Sequence, residues 1–204
     1  MIDLYAAATS NGMRARIALE ECGLAYHWHP INLLKGEHKT PEFLKLNPFG
    51  QIPVLVDSDG PGGKPVTLHQ STAILMYAAE KSGKYLPKDP AARPAFLEAL
   101  MGASTDITPQ FGAVNAARLA KEPHAPTIEI LKGRLRSLFS AWDALLAQRK
   151  YAAGSELTIA DLSLYAGYWR TKGAMADAVA GLPNLERWSA EMTARPAIRR
   201  ATAV

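Results

Sequence analysis

The chain has 204 residues, enough for one large domain or two small ones, and 48% of them are apolar, enough to bury a core. The net charge is +4 without a lysine or arginine run, which excludes a basic nucleic-acid arm, and no apolar stretch reaches the roughly 18 residues of a membrane span. A single cysteine, Cys22, excludes an intrachain disulfide framework, and the N-terminus lacks a signal-peptide layout, so a cytoplasmic protein with no membrane or nucleic-acid partner is expected.

In chain order, residues 2–5 read as a short apolar strand and residues 6–12 as a small, polar loop. Asn11 reads as the N-cap of a helix to about Cys22, with Gly23 at its stop. Residues 26–31 alternate as a second strand. Thr40-Pro41-Glu42 opens a short helix that ends at Asn47-Pro48. The stretch Asn47-Pro48-Phe49-Gly50-Gln51-Ile52-Pro53-Val54-Leu55 joins a turn to the entry of a buried third strand at residues 54–56. Pro53 cannot donate to a strand ladder, so it belongs at the strand's start. A cis peptide there would leave the N–H and C=O of Ile52 outward, open to an extended peptide; a rigid turn with no ligand accounts for the same residues. Residues 66–69 complete a hairpin, and residues 71–81 form a helix with Ile74, Leu75, Tyr77 and Ala78 on one face. The order β-α-β-α-β-β-α predicts a mixed sheet with one parallel crossover and an antiparallel edge.

Beyond residue 82 no convincing strand follows. Residues 83–89 read as a linker between an α/β domain at 1–82 and an all-helical domain at 90–204. Asp89-Pro90 caps a long helix to about Leu119, and Thr108-Pro109 should kink it. Residues 122–126 break the chain. From Thr127, the positions Ile128, Leu131, Leu135, Leu138, Trp142 and Leu145 form a core-facing stripe. Thr158-Ile159-Ala160-Asp161 has the form of a capping box, and Asp161 reads as structural. Residues 182–188 read as another helix, with a stop at Arg195-Pro196.

Taken in order, these stretches resemble the glutathione S-transferase superfamily. The carriers are Ile2-Asp3-Leu4-Tyr5, Asn11 followed by Arg14-Ala15-Arg16-Ile17-Ala18-Leu19-Glu20-Glu21, Pro41-Glu42-Phe43-Leu44, the stretch from Asn47 to Leu55, His69-Gln70-Ser71-Thr72-Ala73-Ile74, Leu157-Thr158-Ile159-Ala160-Asp161-Leu162 and Leu182-Pro183-Asn184-Leu185-Glu186-Arg187-Trp188. The resemblance implies a thioredoxin-like N-terminal domain, an all-helical C-terminal domain, glutathione as co-substrate, no metal, and a homodimer in which Phe49 could anchor on a partner or fold back onto its own domain.

The resemblance also implies roles for residues. Ile52 beside Pro53 matches the position that pairs with the cysteinyl backbone of glutathione. Gln70 and Ser71 match the clamp on its γ-glutamyl end, where a helix N-terminus favours a carboxylate. His38 and Gln51 match positions that reach the glycyl end in some classes, and His38 is equally an exposed loop histidine. The chemistry falls on Thr9-Ser10-Asn11. A free thiol titrates near ~8.5 and reacts as its thiolate, so a hydroxyl or amide donor at a helix N-terminus favours the reactive form. Thr9 fits the hydroxyl position best, with Ser10 as competitor, and Asn11 is either a second donor or only the helix cap. The loop has no cysteine, unlike beta-class and omega-class members, and the pattern is closest to bacterial classes with Thr and Asn there. The second substrate, a small hydrophobic electrophile or a disulfide, is expected between the domains, with Met101, Thr105, Thr108, Phe111, Val114 and Arg118 as candidates. Conjugation of glutathione to an electrophile is the reading this favours; the alternatives are glutathione-dependent disulfide reduction and a non-catalytic binding protein of the same fold.

Overall fold

In the computed structural model, which describes residues 1–203, β1 (Ile2–Ala6), β2 (Tyr26–Pro30), β3 (Val54–Asp57) and β4 (Val66–His69) form one sheet in the order β2-β1-β3-β4. β1 and β2 run parallel, and β3 is antiparallel to both β1 and β4. This is the mixed sheet that the element order predicts, and it agrees with the thioredoxin-like domain that the resemblance implies. Alternation along β1 sets its two faces: Ile2, Leu4 and Ala6 are buried, while Asp3 and Tyr5 point the other way. There His29 Nε2 lies 2.7 Å from Asp3 Oδ1, and the His29 ring stacks on Tyr5 at 4.4 Å.

The buried face is covered by α1 (Ser10–Cys22) and α3 (Ser71–Ser82), whose Ile17, Ala18, Ile74, Leu75 and Ala78 are fully buried. α2 (Pro41–Leu46) is a short helix capped by Thr40, whose hydroxyl accepts from the Phe43 N–H. The first helix differs from expectation at its start. Thr9, not Asn11, is the N-cap: its Oγ1 accepts from the Gly12 N–H at 3.1 Å, and Asn11 falls inside the first turn. Gly12 is required there, because a Cβ at that position would lie 2.0 Å from the Ala7 carbonyl oxygen.

The chain falls into two compact units, Met1–Leu86 together with the segment from Arg195 onward, and Pro87–Ala194. The second unit is helical: α4 (Arg93–Met101), α5 (Thr108–Arg118), α6 (Ala125–Gln148), α7 (Ile159–Ala174) and α8 (Pro183–Ala194). The expected single helix to Leu119 is interrupted upstream of Pro109, by a π-helical turn over Gly102–Ile107. There the hydroxyls of Ser104 and Thr105 bond back to the carbonyls of Leu100 and Met101. Pro109 then lies in the first turn of α5, directly after the π-helical turn. The expected break is present at residues 119–124, and α6 begins two residues earlier than expected, with His124 as N-cap and Pro126 in its first turn. The buried line of α6 is Leu135, Phe139, Trp142 and Leu146, one step round from the expected stripe, which leaves Ile128, Leu131, Leu138 and Leu145 half-buried.

Asp161 is structural, as its capping box predicts. It is fully buried, and its carboxylate accepts from the N–H groups of Ala152 and Thr158, the Thr158 hydroxyl and Trp188 Nε1. Burial pushes its carboxyl up from the ordinary range, and those four donors oppose the shift. It thus ties the start of α7 to α8 and to the preceding loop. Among the described residues no helix is long and apolar enough to cross a membrane.

The segment from Arg195 onward, expected within an all-helical domain at 90–204, groups with the first unit instead. Pro196 opens a further helix, α9 (Pro196–Thr202), which packs on α1 within the first unit. Arg195 fastens this segment: its Nε and Nη2 each donate to the buried Glu21 carboxylate at 2.7 Å, and the Tyr85 hydroxyl donates to the same carboxylate at 2.7 Å. Burial pushes Glu21 up, but hydrogen bonds from Arg195 and Tyr85 outweigh it and hold the carboxyl below its usual 4.5. A carboxyl held low contributes stability above its ordinary pKa and loses it as pH falls through the folded value. Arg195→Ala should therefore lower the unfolding free energy by about 2 kcal/mol at neutral pH, since it strands a buried carboxylate from a half-exposed partner. In denaturant titrations the gap from wild type should close in acid, as Glu21 protonates.

Candidate functional site

One end of the sheet gathers the residues singled out from sequence. Val54 is paired with Tyr5 on one side and His69 on the other. The chain leaving β1 toward Thr9-Ser10-Asn11, the chain entering β3 through Ile52-Pro53 and the chain leaving β4 toward Gln70-Ser71 therefore emerge at the same edge. The N-termini of α1 and α3 lie there too, and two helix N-termini give this edge a positive pole.

The Ile52-Pro53 peptide is cis, the geometry the proline at the strand entry allows. Ile52 lies outside the ladder, and among the described residues its N–H and C=O have no main-chain partner. The turn before it is held by Asn47, which is buried. Its side chain accepts from the Phe49 N–H at 3.1 Å and donates to the Gln51 carbonyl at 2.7 Å. Gly50 adopts φ +56°, and a Cβ on it would meet the His38 carbonyl at 2.9 Å, so this turn packs directly on the short turn Glu37–Lys39 that carries His38. His38 is half-buried, and its Nδ1 is buried with no hydrogen-bond partner among the described residues; Gln51 is exposed.

Gln70 holds φ +81°, a left-handed conformation that costs a non-glycine residue about 1 to 3 kcal/mol. It occupies the N-cap position of α3 without making a side-chain cap. The first N–H groups of α3 are therefore left for another acceptor, and the exposed Gln70 side chain stands beside them.

Ser71 and Asn11 meet at Arg14. Arg14 is 1% exposed, and its Nη1 donates to Asn11 Oδ1 at 2.7 Å and to Ser71 Oγ at 2.8 Å. Ser71 Oγ in turn donates to Asn11 Oδ1 at 3.1 Å. Guanidinium groups only donate, so the Asn11 atom facing Arg14 must be the carbonyl oxygen. That oxygen takes two donors, which leaves the Asn11 amide N–H groups as its remaining polar function. Burial pushes the Arg14 guanidinium down to about 10, still charged at neutral pH. The signal for Arg14 was present in the sequence: it stands on the same helical face as Ile17 and Ala18, a cation at a core position of α1.

Thr9 is half-buried and Ser10 is 4% exposed. The Thr9 oxygen accepts in its cap, so its O–H proton stays available to a further acceptor. Cys22 lies at the other end of α1, where burial pushes its thiol up, away from a reactive thiolate. Tyr5 is committed to its stack with His29. On the helical unit, Met101 is exposed, Thr105 is exposed with its hydroxyl bonded to the Met101 carbonyl, and Thr108 is half-buried. Phe111 and Val114 are buried, with the Arg170 guanidinium 5.7 Å from the Phe111 ring centre, and Arg118 donates to the Ala174 carbonyl.

Comparison with known proteins is consistent with this arrangement. A model of the glutathione S-transferase N-terminal domain matches residues 10–81, and one of the C-terminal domain matches residues 92–196. The chain is 33% identical to the disulfide-bond oxidoreductase YfcG of Escherichia coli (strain K12), over 98% of this chain and 94% of that protein. It is also 33% identical to glutathione S-transferase 3 of Zea mays, over 95% and 89% respectively. A solved glutathione transferase from Pseudomonas putida, with one glutathione disulfide bound per subunit, superposes with a TM-score of 0.91 at 31% identity, covering 100% of this chain and 91% of that one.

Proposed function

Since the chain belongs to the glutathione S-transferase superfamily, we propose that it binds glutathione at the open end of its sheet, holds the cysteinyl sulfur as a thiolate, and uses that thiolate to attack a disulfide. The observation that carries the reading is the convergence, at one sheet edge, of an unpartnered Ile52 main chain with the N-termini of α1 and α3. An extended tripeptide with two carboxylates needs a strand edge for its backbone and N–H groups for its charges.

In this reading the Ile52 N–H and C=O pair with the cysteinyl residue. The γ-glutamyl carboxylate takes the uncapped N–H groups of α3 and the Ser71 hydroxyl, with Gln70 on the ammonium. His38 and Gln51 face the glycyl end. Thr9 donates its hydroxyl to the sulfur, with the Asn11 amide as second donor; Ser10 is too buried to compete. Both donors favour the thiolate over the thiol.

The step then balances without a redox group on the protein. The glutathione thiolate attacks one sulfur of the disulfide, the S–S bond breaks, and the other half leaves as a thiolate. A second glutathione thiolate attacks the mixed disulfide, giving glutathione disulfide and a second thiol. The absence of cysteine from the Thr9-Ser10-Asn11 loop supports this use of glutathione alone, as do the relative that is a disulfide-bond oxidoreductase and the solved relative holding glutathione disulfide. A second reading, conjugation to a small hydrophobic electrophile with loss of its leaving group, is supported by the equally similar Zea mays glutathione S-transferase. Met101, Thr105 and Thr108 are then its candidate contacts, with Phe111 behind them in the core.

Thr9→Ala should lower kcat/KM for glutathione-dependent reduction of a small aliphatic disulfide by about tenfold to a hundredfold, the worth of one hydrogen bond to a charged group. Its rate should also begin to rise at higher pH. Thr9→Ser should restore both, and Asn11→Ala should act in the same direction as Thr9→Ala. Unchanged turnover in Thr9→Ala and Asn11→Ala would remove them from the mechanism.

We further propose a homodimer in which Phe49 is an anchor. It is 64% exposed on the Asn47–Gly50 turn and touches only the edge of the His69 ring, at 5.5 Å between centres, among aromatic neighbours. An exposed aromatic on a rigid turn suits a partner's pocket. Sedimentation should show a wild-type dimer that Phe49→Ser shifts toward monomer; an unaltered dimer would exclude the anchor.

A further inference from the structure

The glutathione reading gives this site two jobs, holding the γ-glutamyl end of the ligand and ionising its sulfur. In this chain the groups assigned to them share one buried atom. Arg14 Nη1 sits 2.7 Å from Asn11 Oδ1 and 2.8 Å from Ser71 Oγ, and the Ser71 hydroxyl closes the triangle onto Asn11 at 3.1 Å. Asn11 lies on the loop-and-helix start beside Thr9, whereas Ser71 opens α3, sixty residues further along the chain.

We infer that Arg14 is a positioning residue that couples the two: by holding Asn11 Oδ1 and Ser71 Oγ together, it aims the Asn11 amide at the sulfur only while Ser71 is in its clamp position. The inference rests on the glutathione reading above and adds a dependence that reading does not contain. The geometry supports it in three ways. The guanidinium is 1% exposed, so water does not compete for its N–H groups. Its planar fork fixes directions that a lysine ammonium would leave loose. And the carboxamide has one oxygen, so two donors on that oxygen determine which way the N–H groups face. When a carboxylate at the N-terminus of α3 accepts the Ser71 hydroxyl proton, Ser71 Oγ still accepts from Arg14 Nη1, so Ser71 keeps the guanidinium aimed at Asn11 Oδ1 in the liganded state. The clamp at one end of the site thereby holds the donor at the other.

The test uses the full chain as wild type, Ser71→Ala, Arg14→Lys and the double variant Ser71→Ala/Arg14→Lys. Each is titrated calorimetrically with reduced glutathione, and the ionisation of the bound thiol is followed by thiolate absorbance against pH at saturating ligand. Ser71 does not touch the sulfur in this reading, yet Ser71→Ala should cut the thiolate fraction at neutral pH by about three- to tenfold, since tenfold is one pKa step. Arg14→Lys should do at least as much. The double variant should look like Arg14→Lys alone, because the route from Ser71 to the sulfur is already cut. Independent, additive effects, or an unmoved thiol in either single variant that still binds, would overturn the coupling. Should Arg14→Lys fail to fold, the cycle of Asn11→Ala with Ser71→Ala keeps Arg14 in place and decides the same question: coupled effects support the inference, additive ones reject it. Absence of binding by the wild type would take the glutathione reading and this inference down together, whereas binding with an unmoved thiol removes this inference alone.

Discussion

Burying a guanidinium costs several kcal/mol unless its N–H groups find acceptors, and that requirement sets the geometry at the open end of the sheet. Arg14 is inside the first unit, at the head of α1, and its Nη1 bonds bring the start of α1 against the start of α3. Once those two helix starts are fixed, the strands beneath them determine the rest. β3 lies between β1 and β4, so its cis-proline entry has to emerge between the same two helix N-termini. The edge that results carries a buried cation, two helix dipoles pointing outward and a stretch of unpaired backbone. Such an edge favours an extended, anionic ligand and favours negative charge on any group brought near the first turn of α1.

The left-handed Gln70 belongs to the same arrangement. Forcing φ to +81° costs free energy that a glycine would avoid, yet a glycine would supply no side chain. Keeping glutamine there places an amide beside the uncapped N-terminus of α3, at the expense of local stability. At the opposite end of α1 a bidentate ion pair serves stability, with Glu21 held by Arg195 and Tyr85. One helix is thus anchored at its C-terminal end, away from the proposed chemistry, and left with open polar groups at its N-terminal end.

Much of this was legible in the sequence, for reasons that differ by element. The strands and the mixed character of the sheet followed from short apolar runs bounded by proline and glycine, and the third strand's start followed from Pro53's missing N–H. The capping box at Thr158 and Asp161 was local and chemically explicit, so it could be read directly. What failed were signals with two meanings. Asn11 and Thr9 are both good caps, and the bond that distinguishes them, from the Gly12 N–H to Thr9 Oγ1, appears only in the folded chain. The breaks before Pro126 and at Arg195-Pro196 are present, but proline is equally suited to the first turn of a helix, and Pro126 and Pro196 each lie in the first turn of the helix that follows. Arg14 was passed over because a charged residue in an amphipathic helix is by default solvated. Its place on the buried face was visible, but the partners that make burial tolerable come from residue 71, and no spacing rule connects them. The same holds for Arg195, whose carboxylate lies at residue 21.

The central claim is that the open end of the sheet is a glutathione site. It is tested most directly by isothermal titration of the full chain with reduced and, separately, oxidised glutathione. The account predicts binding of at least one form in the micromolar-to-millimolar range, with the oxidised form at least as tight if disulfide exchange is the reaction. Preference for the reduced form alone would favour conjugation. Failure of both forms to bind at millimolar concentration would contradict the account, leaving the fold intact and the sheet's open edge without its proposed ligand.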